Sequence, residues 1–500
     1  MLSQTKELCA FLDASHSQYH ARAYLTAILD KEGYTALKES EKWELVPGGK
    51  YYVTRGGSAV LAFRVPEGEA LGFLISAAHT DRPAFKLKEN GEIEGVCPRL
   101  AVERYGGQIL APWLDRPLSI AGRVLVQTER GAESRLLDID RDLLLIPNVA
   151  IHMNRQVNDG YKWNPVTDVL PLLASPENKG QFTAMLEKEA GGKILSHDLF
   201  LYIRQKASVW GLDESFLSSA ALDDLECVWG CFRGFLASGT GRSIPLFAAL
   251  DSEEVGSCSP QGAGSTLLSQ TVSRIAQALA LDENRLLAQS FLVSADNAHA
   301  QHPNHPELAD SGNAPKLGGG IVIKFNANLR YCTDGLSAAV MRTVCRRAGV
   351  NSQDYYNRPD IPGGSTLGCI SIGQVSVPTV DIGLAQLGLG GLTFALAAQD
   401  SASNFFGGLV IIFEKPFELG DWISTASLEG SVEDITFRST KIRTLANALT
   451  VVPNSKLCGE PITNWTRMKM RLAQFTLGLT YGTPKRTVEA VTNRVRAMLE

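Results

Sequence analysis

A chain of 500 residues is longer than one hydrophobic core ordinarily serves, so two or three domains are expected. Apolar residues make up 44% and charged residues 20%, which excludes intrinsic disorder, and a net charge of −5 offers no general attraction to nucleic acid. The nine cysteines form no C-x-x-C pair, which fits reduced thiols in a cytoplasm, and the N-terminus MLSQTKELCAFLDASHSQYH lacks the apolar run of a secretory signal.

Helical periodicity runs from Thr5 to Glu32, followed by strand-like runs at Lys50 to Thr54, Ala59 to Val65 and Leu71 to Ala78. From about Lys86 to Val209 short apolar runs are broken by Gly and Pro, as in YGGQILAPWLDRPLSIAGRVLV, and predict an all-β insertion. Beyond Gly211 the α/β pattern resumes with the helix-like LSSAALDDLECVWGCFRGFLA and the strand-like IPLFAAL, QSFLVSA and GGIVIKF. Cys227 and Cys231, four apart on that helix, read as core packing because no second cysteine pair accompanies them. One domain, 1–85 and 213–387, is therefore expected to be interrupted by a β-rich insertion, 86–212.

The chemistry gathers where the apolar runs end. LISAAHTDRP sets His79 and Asp81 two apart, on the same side of an extended chain. IPLFAALDSEEVGS supplies Glu253 and Glu254, of which one could bind a metal while the other shuttles a proton. FLVSADNAHAQHPNHPE supplies Asp296 and then His299, His302 and His305, and AALDDLECV supplies Asp223. Taken singly, each has an ordinary reading as a cap or a solvated side chain. Convergence at the C-terminal ends of several strands is what open α/β sheets use to build sites. Mixed Asp, Glu and His donors suit zinc, and two zinc ions sharing a carboxylate are suited to amide hydrolysis.

The stretches HTDRPAFKLKEN, RYGGQILAPWLDRPLSIAGRV, IPNVAIHMNR, KWNPVTDVLPL, LDSEEVGS, SADNAHAQHPNHPE and PGGSTLGCISIGQVSVPTVDIGLAQL resemble the aspartyl aminopeptidases over about Met1 to Leu387. The resemblance implies a cytoplasmic enzyme that removes N-terminal Asp or Glu from peptides. It also implies two Zn²⁺ ions per subunit, a catalytic α/β domain split by a β-rich dimerisation domain, and a homo-oligomer of twelve subunits. On that resemblance His79 and Asp296 are ligands of one zinc, Asp223 bridges both ions, and Glu254 is a ligand of the second. Asp81 orients His79, and Glu253 is the general base. His152 is similar to the family histidine that completes a neighbouring subunit's active site and is sometimes counted a metal residue, and His299 and Lys324 would contact the substrate's acidic side chain. The chain departs from the family at LDDL, where an Arg before Leu-Asp-Asn-Leu is more usual.

A larger departure follows Leu387. The family continues with Ala-Met-His-Ser, whose His is the remaining ligand of the second zinc, and then a closing helix. Here the text is GLGGLTFALAAQDSASNFFGG, and of the eight histidines none lies beyond His305. The second zinc site is expected to be incomplete and the activity impaired. Residues 388–500, including GLGGLTFALAAQDSASNFFGGLVIIFEKPFELGDWI and GSVEDITFRSTKIRTLANALTVVPNSKL, resemble the small-conductance mechanosensitive channels: half a pore-lining helix, a β domain and the start of an α/β domain. This implies a small β domain from about Asp421 to Ser455. It also raises membrane association through 388–413, although the uncharged run of eighteen residues is at the short edge of a span of about 20. Two alternatives to the peptidase are a membrane-associated channel-like module and a non-functional chimaera of two truncated genes.

Overall fold

The computed structural model describes residues 3–239, 241–387, 392–394, 417–425, 428–435, 439–453, 457, 462–468, 478, 480 and 482–499. The expected N-terminal helix is two helices, Ser3–Ala14 and Gln18–Lys31. The break has a tertiary cause: the Arg82 guanidinium donates to the carbonyls of Ser15, at 2.9 Å, and His16, so groups freed at the helix end find a partner far along the chain.

Among the described residues the largest sheet has nine strands in the order Thr35–Leu37, Lys50–Arg55, Ala59–Arg64, Ile244–Leu250, Phe73–His79, Phe291–Ala295, Thr379–Gly383, Ile321–Phe325 and Ser352–Tyr356. The four strands from Ile244–Leu250 to Thr379–Gly383 run parallel. They are buried on both faces, which is why IPLFAAL reads as an unbroken apolar run. Alternate side chains feed two cores: Phe247 and Ala249 join one with the helices Leu222–Ala237 and Gly335–Ala348, while Leu246, Ala248 and Leu250 join the other with the helix Leu267–Ala278.

The stretch from Leu217 to Ala237, read as one helix, is divided. Phe216–Ser218 is a strand paired with Ser208–Trp210 and Leu392–Phe394, and the helix starts at Leu222. A hydrogen-bonded ladder thus overrides local helix preference.

A separate five-stranded sheet is built from Arg99–Tyr105, Ala84–Ile93, Ile194–Ile203, Leu118–Thr128 and Gly131–Asp138 around its own core, which includes Leu118, Ile120, Val124 and Leu199. The segment is not all-β as expected, because it carries the helix Phe182–Ala190. Phe182, Leu186 and Ala190 recur every four residues on its buried side, and Gly191 closes it at φ 69°.

Towards the C-terminus an antiparallel sheet of Leu449–Pro453, Ser439–Thr444, Glu429–Ile435, Trp422–Ser424 and Thr463–Asn464 encloses Phe417, Ile423, Val432 and Ile442. Of the expected pore-helix stretch 388–413, only Leu392–Phe394 lies within the described residues, and it is a strand rather than a helix. Among the described residues no helix is long and apolar enough to cross a membrane.

Candidate metal centre

The parallel strands deliver their chemistry to one edge of the sheet. His79 is the last residue of its strand, Asp296 follows Ala295, and Glu253 and Glu254 lie three and four residues beyond Leu250. Asp223 arrives separately, at the start of the helix Leu222–Ala237. His79 Nε2 lies 3.6 Å from Asp223 Oδ1, 3.7 Å from Asp296 Oδ1 and 3.9 Å from Glu253 Oε2. His79, Asp223, Asp224 and Asp296 each offer a ligand atom, all within 4.8 Å of one another. Bonds of about 2.1 Å to a tetrahedral zinc ion put its donors roughly 3.4 Å apart, so the imidazole nitrogen and carboxylate oxygens fit that ion in type and spacing.

Several contacts hold this arrangement. Asp81 Oδ1 is 3.3 Å from His79 Nδ1 and accepts the Glu253 N–H at 3.0 Å. Its Oδ2 accepts the Glu254 N–H at 3.2 Å and the Tyr105 hydroxyl at 2.9 Å. Ser252, at φ 66°, turns the chain in the left-handed region just before those two amides. Asp224 Oδ2 accepts the backbone N–H of His79 at 3.2 Å, and Lys324, only 2% exposed, donates to Asp296 Oδ2 at 3.0 Å. Gln386 donates its amide to Asp223 Oδ2 at 2.7 Å.

The electrostatics describe a crowd of acids around one ring. Burial disfavours a charged His79, yet the nearby carboxylates of Asp223, Asp296 and Asp81 hold it well above its ordinary range. Burial pushes Glu253 up to about 7 and Glu254 up to about 9, with His79 opposing and the neighbouring carboxylates assisting. Asp296 is the exception: burial would raise it, but Lys324 and His79 hold it well below the usual carboxylate range. A divalent cation is the partner such a cluster favours, because its charge relieves the mutual repulsion of the acids.

Residues 11–405 match the family described as "Aminopeptidase I zinc metalloprotease (M18)". The chain belongs to the M18 family of zinc aminopeptidases. An M18 aminopeptidase of Clostridium novyi is 40% identical over 399 residues, spanning 77% of this chain and 92% of the relative. One of Pseudomonas fluorescens is 38% identical over 412 residues, spanning 79% and 94%. Among solved structures, Ape4 in its complex with Nbr1 superposes with a TM-score of 0.78 at 29% identity, covering 85% of this chain and 92% of that one. The mApe1 dodecamer of S. cerevisiae gives 0.72 at 25% identity, covering 83% and 97%. Residues 400–467 separately match the mechanosensitive ion channel β-domain, overlapping the end of the M18 match.

Within this M18 chain the structure does not gather every residue singled out in the sequence. His152 is exposed in a turn of the 86–212 segment, outside the clustered ligand atoms. His299 is exposed on the short strand Ala298–His299, which pairs with Ala385–Leu387, and it lines a cavity of about 300 Å³ with His302, His305, Arg358 and Gln386. Lys324, expected to face substrate, is buried and paired with Asp296. Asp224 and Tyr105 were missed. Asp224 had a local signal in its adjacency to Asp223, whereas Tyr105 had none, since it reaches Asp81 from the other sheet's strand Arg99–Tyr105.

One close approach makes a prediction. A Cβ added at Gly383 would lie 2.2 Å from the Asp296 carbonyl oxygen and 3.1 Å from the Ala298 nitrogen, both rigid backbone atoms. Gly383→Ala is expected to displace Asp296, weaken zinc binding and lower turnover by on the order of 10²-fold. Zinc titration together with steady-state kinetics checks this, and unchanged affinity and rate would show that the strand absorbs the methyl group.

Proposed function

We propose that this M18 chain removes N-terminal Asp or Glu from peptides at the centre formed by His79, Asp223, Asp296, Glu253 and Glu254. The observation that carries the reading is the meeting of one imidazole with carboxylates from separate strands and a helix start at a single sheet edge. In it His79, Asp223 and Asp296 would hold one zinc, and Asp223 and Glu254 would hold a second. Bound zinc supplies Lewis acidity and lowers the pKa of attacking water towards 7.

The other roles belong to the chain's own side chains. Glu253 takes a proton from the attacking water and delivers it to the departing amine nitrogen. Asp81 keeps the His79 ring in place and, through two backbone amides, keeps Glu253 beside it. Lys324 holds Asp296 ionised and oriented rather than touching substrate. A second ion would be weakly held, because Asp223 and Glu254 would give it two protein ligands where a catalytic zinc ordinarily has three.

The preference for an acidic residue is supported by the cavity of about 300 Å³ beside the centre, whose wall carries His299, His302, His305 and Arg358. Gln386 joins that wall to Asp223. The test is kcat/KM for matched peptides that begin with Asp or with Leu. The Asp peptide is expected to be favoured by more than about tenfold, and preference for Leu would refute acidic specificity while leaving the peptidase reading intact.

We read 1–85 and 213–387 as the catalytic domain, 86–212 as the dimerisation domain and 388–500 as a channel-like fragment. In the 86–212 segment Val149, Ile151 and Met153 are 49%, 48% and 83% exposed around His152, apolar surface that suits packing against another subunit. The dodecamer formed by the S. cerevisiae relative supports a homo-oligomer here. A cytoplasmic location accords with the partly exposed free cysteines.

A further inference from the structure

Away from the metal centre, the loop before the helix Gly335–Ala348 and the short helix Leu367–Ser371 bring two thiols together. Cys332 Sγ, Cys369 Sγ and a carboxylate oxygen of Asp381 all lie within 4.8 Å of one another. Asp381 is buried at 1% exposure, whereas both cysteines are partly exposed. The Cys332 backbone N–H donates to Asp381 Oδ2 at 2.6 Å, its thiol donates to the same oxygen at 2.8 Å, and Thr366 Oγ1 donates to Oδ1 at 2.8 Å.

We propose that Cys332 and Cys369 form a redox-modification site, in which Cys369 is oxidised by a hydroperoxide and Cys332 resolves it to a disulfide. The two thiols are unequal. The Cys332 sulfur beside it holds Cys369 below the usual thiol range against the effect of burial, while Cys369, burial and Asp381 push Cys332 up. Cys369 is thus the nucleophile and Cys332 the reserve thiol, the arrangement expected of a reactive cysteine with a resolving neighbour. A soft-metal site is less favoured, since Asp381 already accepts three hydrogen bonds from the chain.

The Cys369 thiolate takes the terminal peroxide oxygen as the O–O bond breaks, giving a sulfenic acid and releasing hydroxide or alkoxide. The Cys332 sulfur then attacks the Cys369 sulfur, so the S–S bond forms, the S–O bond breaks, and the Cys332 proton leaves with the hydroxyl as water. Two electrons pass from the thiol pair to the peroxide. A disulfide needs the two sulfurs, now within 4.8 Å of each other, to close to about 2.05 Å. Cys227 and Cys231 are less suited, being buried at 5% and 1% exposure.

The experiment treats the full chain with hydrogen peroxide, blocks free thiols and maps peptides without reduction by mass spectrometry. A peptide pair joined through Cys332 and Cys369 and released by dithiothreitol is expected. Cys332→Ser should lose the link and leave a sulfenic acid on Cys369 that dimedone traps, while Cys369→Ser should lose both link and trapping. The wild-type map decides even if a variant misfolds. Cys369 running on to sulfinic acid with Cys332 free would overturn the proposal, as would links to other cysteines, or zinc that protects both thiols from peroxide and is lost in Cys369→Ser.

Discussion

Replacing Glu253 by Gln lowers kcat on a peptide with an acidic N-terminus by about 10²- to 10⁴-fold and leaves zinc content unchanged. Gln keeps the size of the side chain and the backbone N–H that Asp81 accepts at 3.0 Å, so the turn carrying Glu254 stays in place. What is lost is the proton acceptor. Glu253 Oε2 stands 3.9 Å from His79 Nε2, and burial pushes its carboxyl up to about 7, with His79 opposing and Asp296 assisting. A base poised near the working pH both accepts a proton from water and releases it to a leaving amine. Kinetics and metal analysis on the same preparation check the prediction. An unchanged kcat would remove Glu253 from the chemistry, and a lost zinc would make it a ligand instead.

Restoring Ala-Met-His-Ser and the closing helix after Leu387, in place of residues 388–500, is expected to raise kcat by on the order of 10³-fold and to add a second tightly held zinc. The Oδ1 of Asp223 faces His79, while its Oδ2 is engaged by the Gln386 amide at 2.7 Å. An imidazole supplied next to Glu254 would give the second ion its third protein ligand. A Lewis acid contributes several kcal/mol, and about 4 kcal/mol corresponds to three decades of rate. Metal analysis and turnover of both chains decide the matter. Two tightly held zinc ions and turnover of about 10 per second in the unaltered chain would refute an impaired second site, as would an absence of gain on restoration.

The strand-end chemistry was legible in the sequence. A buried parallel strand reads as an apolar run, so the polar residue that closes it stands at the carboxyl edge of the sheet, as His79, Asp296 and Glu253 do. The small C-terminal sheet was legible for a similar reason, since its alternating runs are broken by Gly and Ser turns. The helix Phe182–Ala190 carried a readable four-residue spacing that the surrounding short strands masked.

Other features depend on partners that no local pattern names. His79 meets Asp224 across 145 positions, and Gln386 meets Asp223 across 163. Arg82 divides the N-terminal helical stretch by binding carbonyls 67 and 66 positions away. Lys324 and Asp296 are 28 apart, yet meet as a buried ion pair. Apolar periodicity determines which side of an element a residue faces, because burying apolar surface is a local demand repeated along the chain. The order in which strands and helices lie side by side determines which polar groups meet, because a buried charge or amide needs a specific partner and only the assembled sheet brings one within reach.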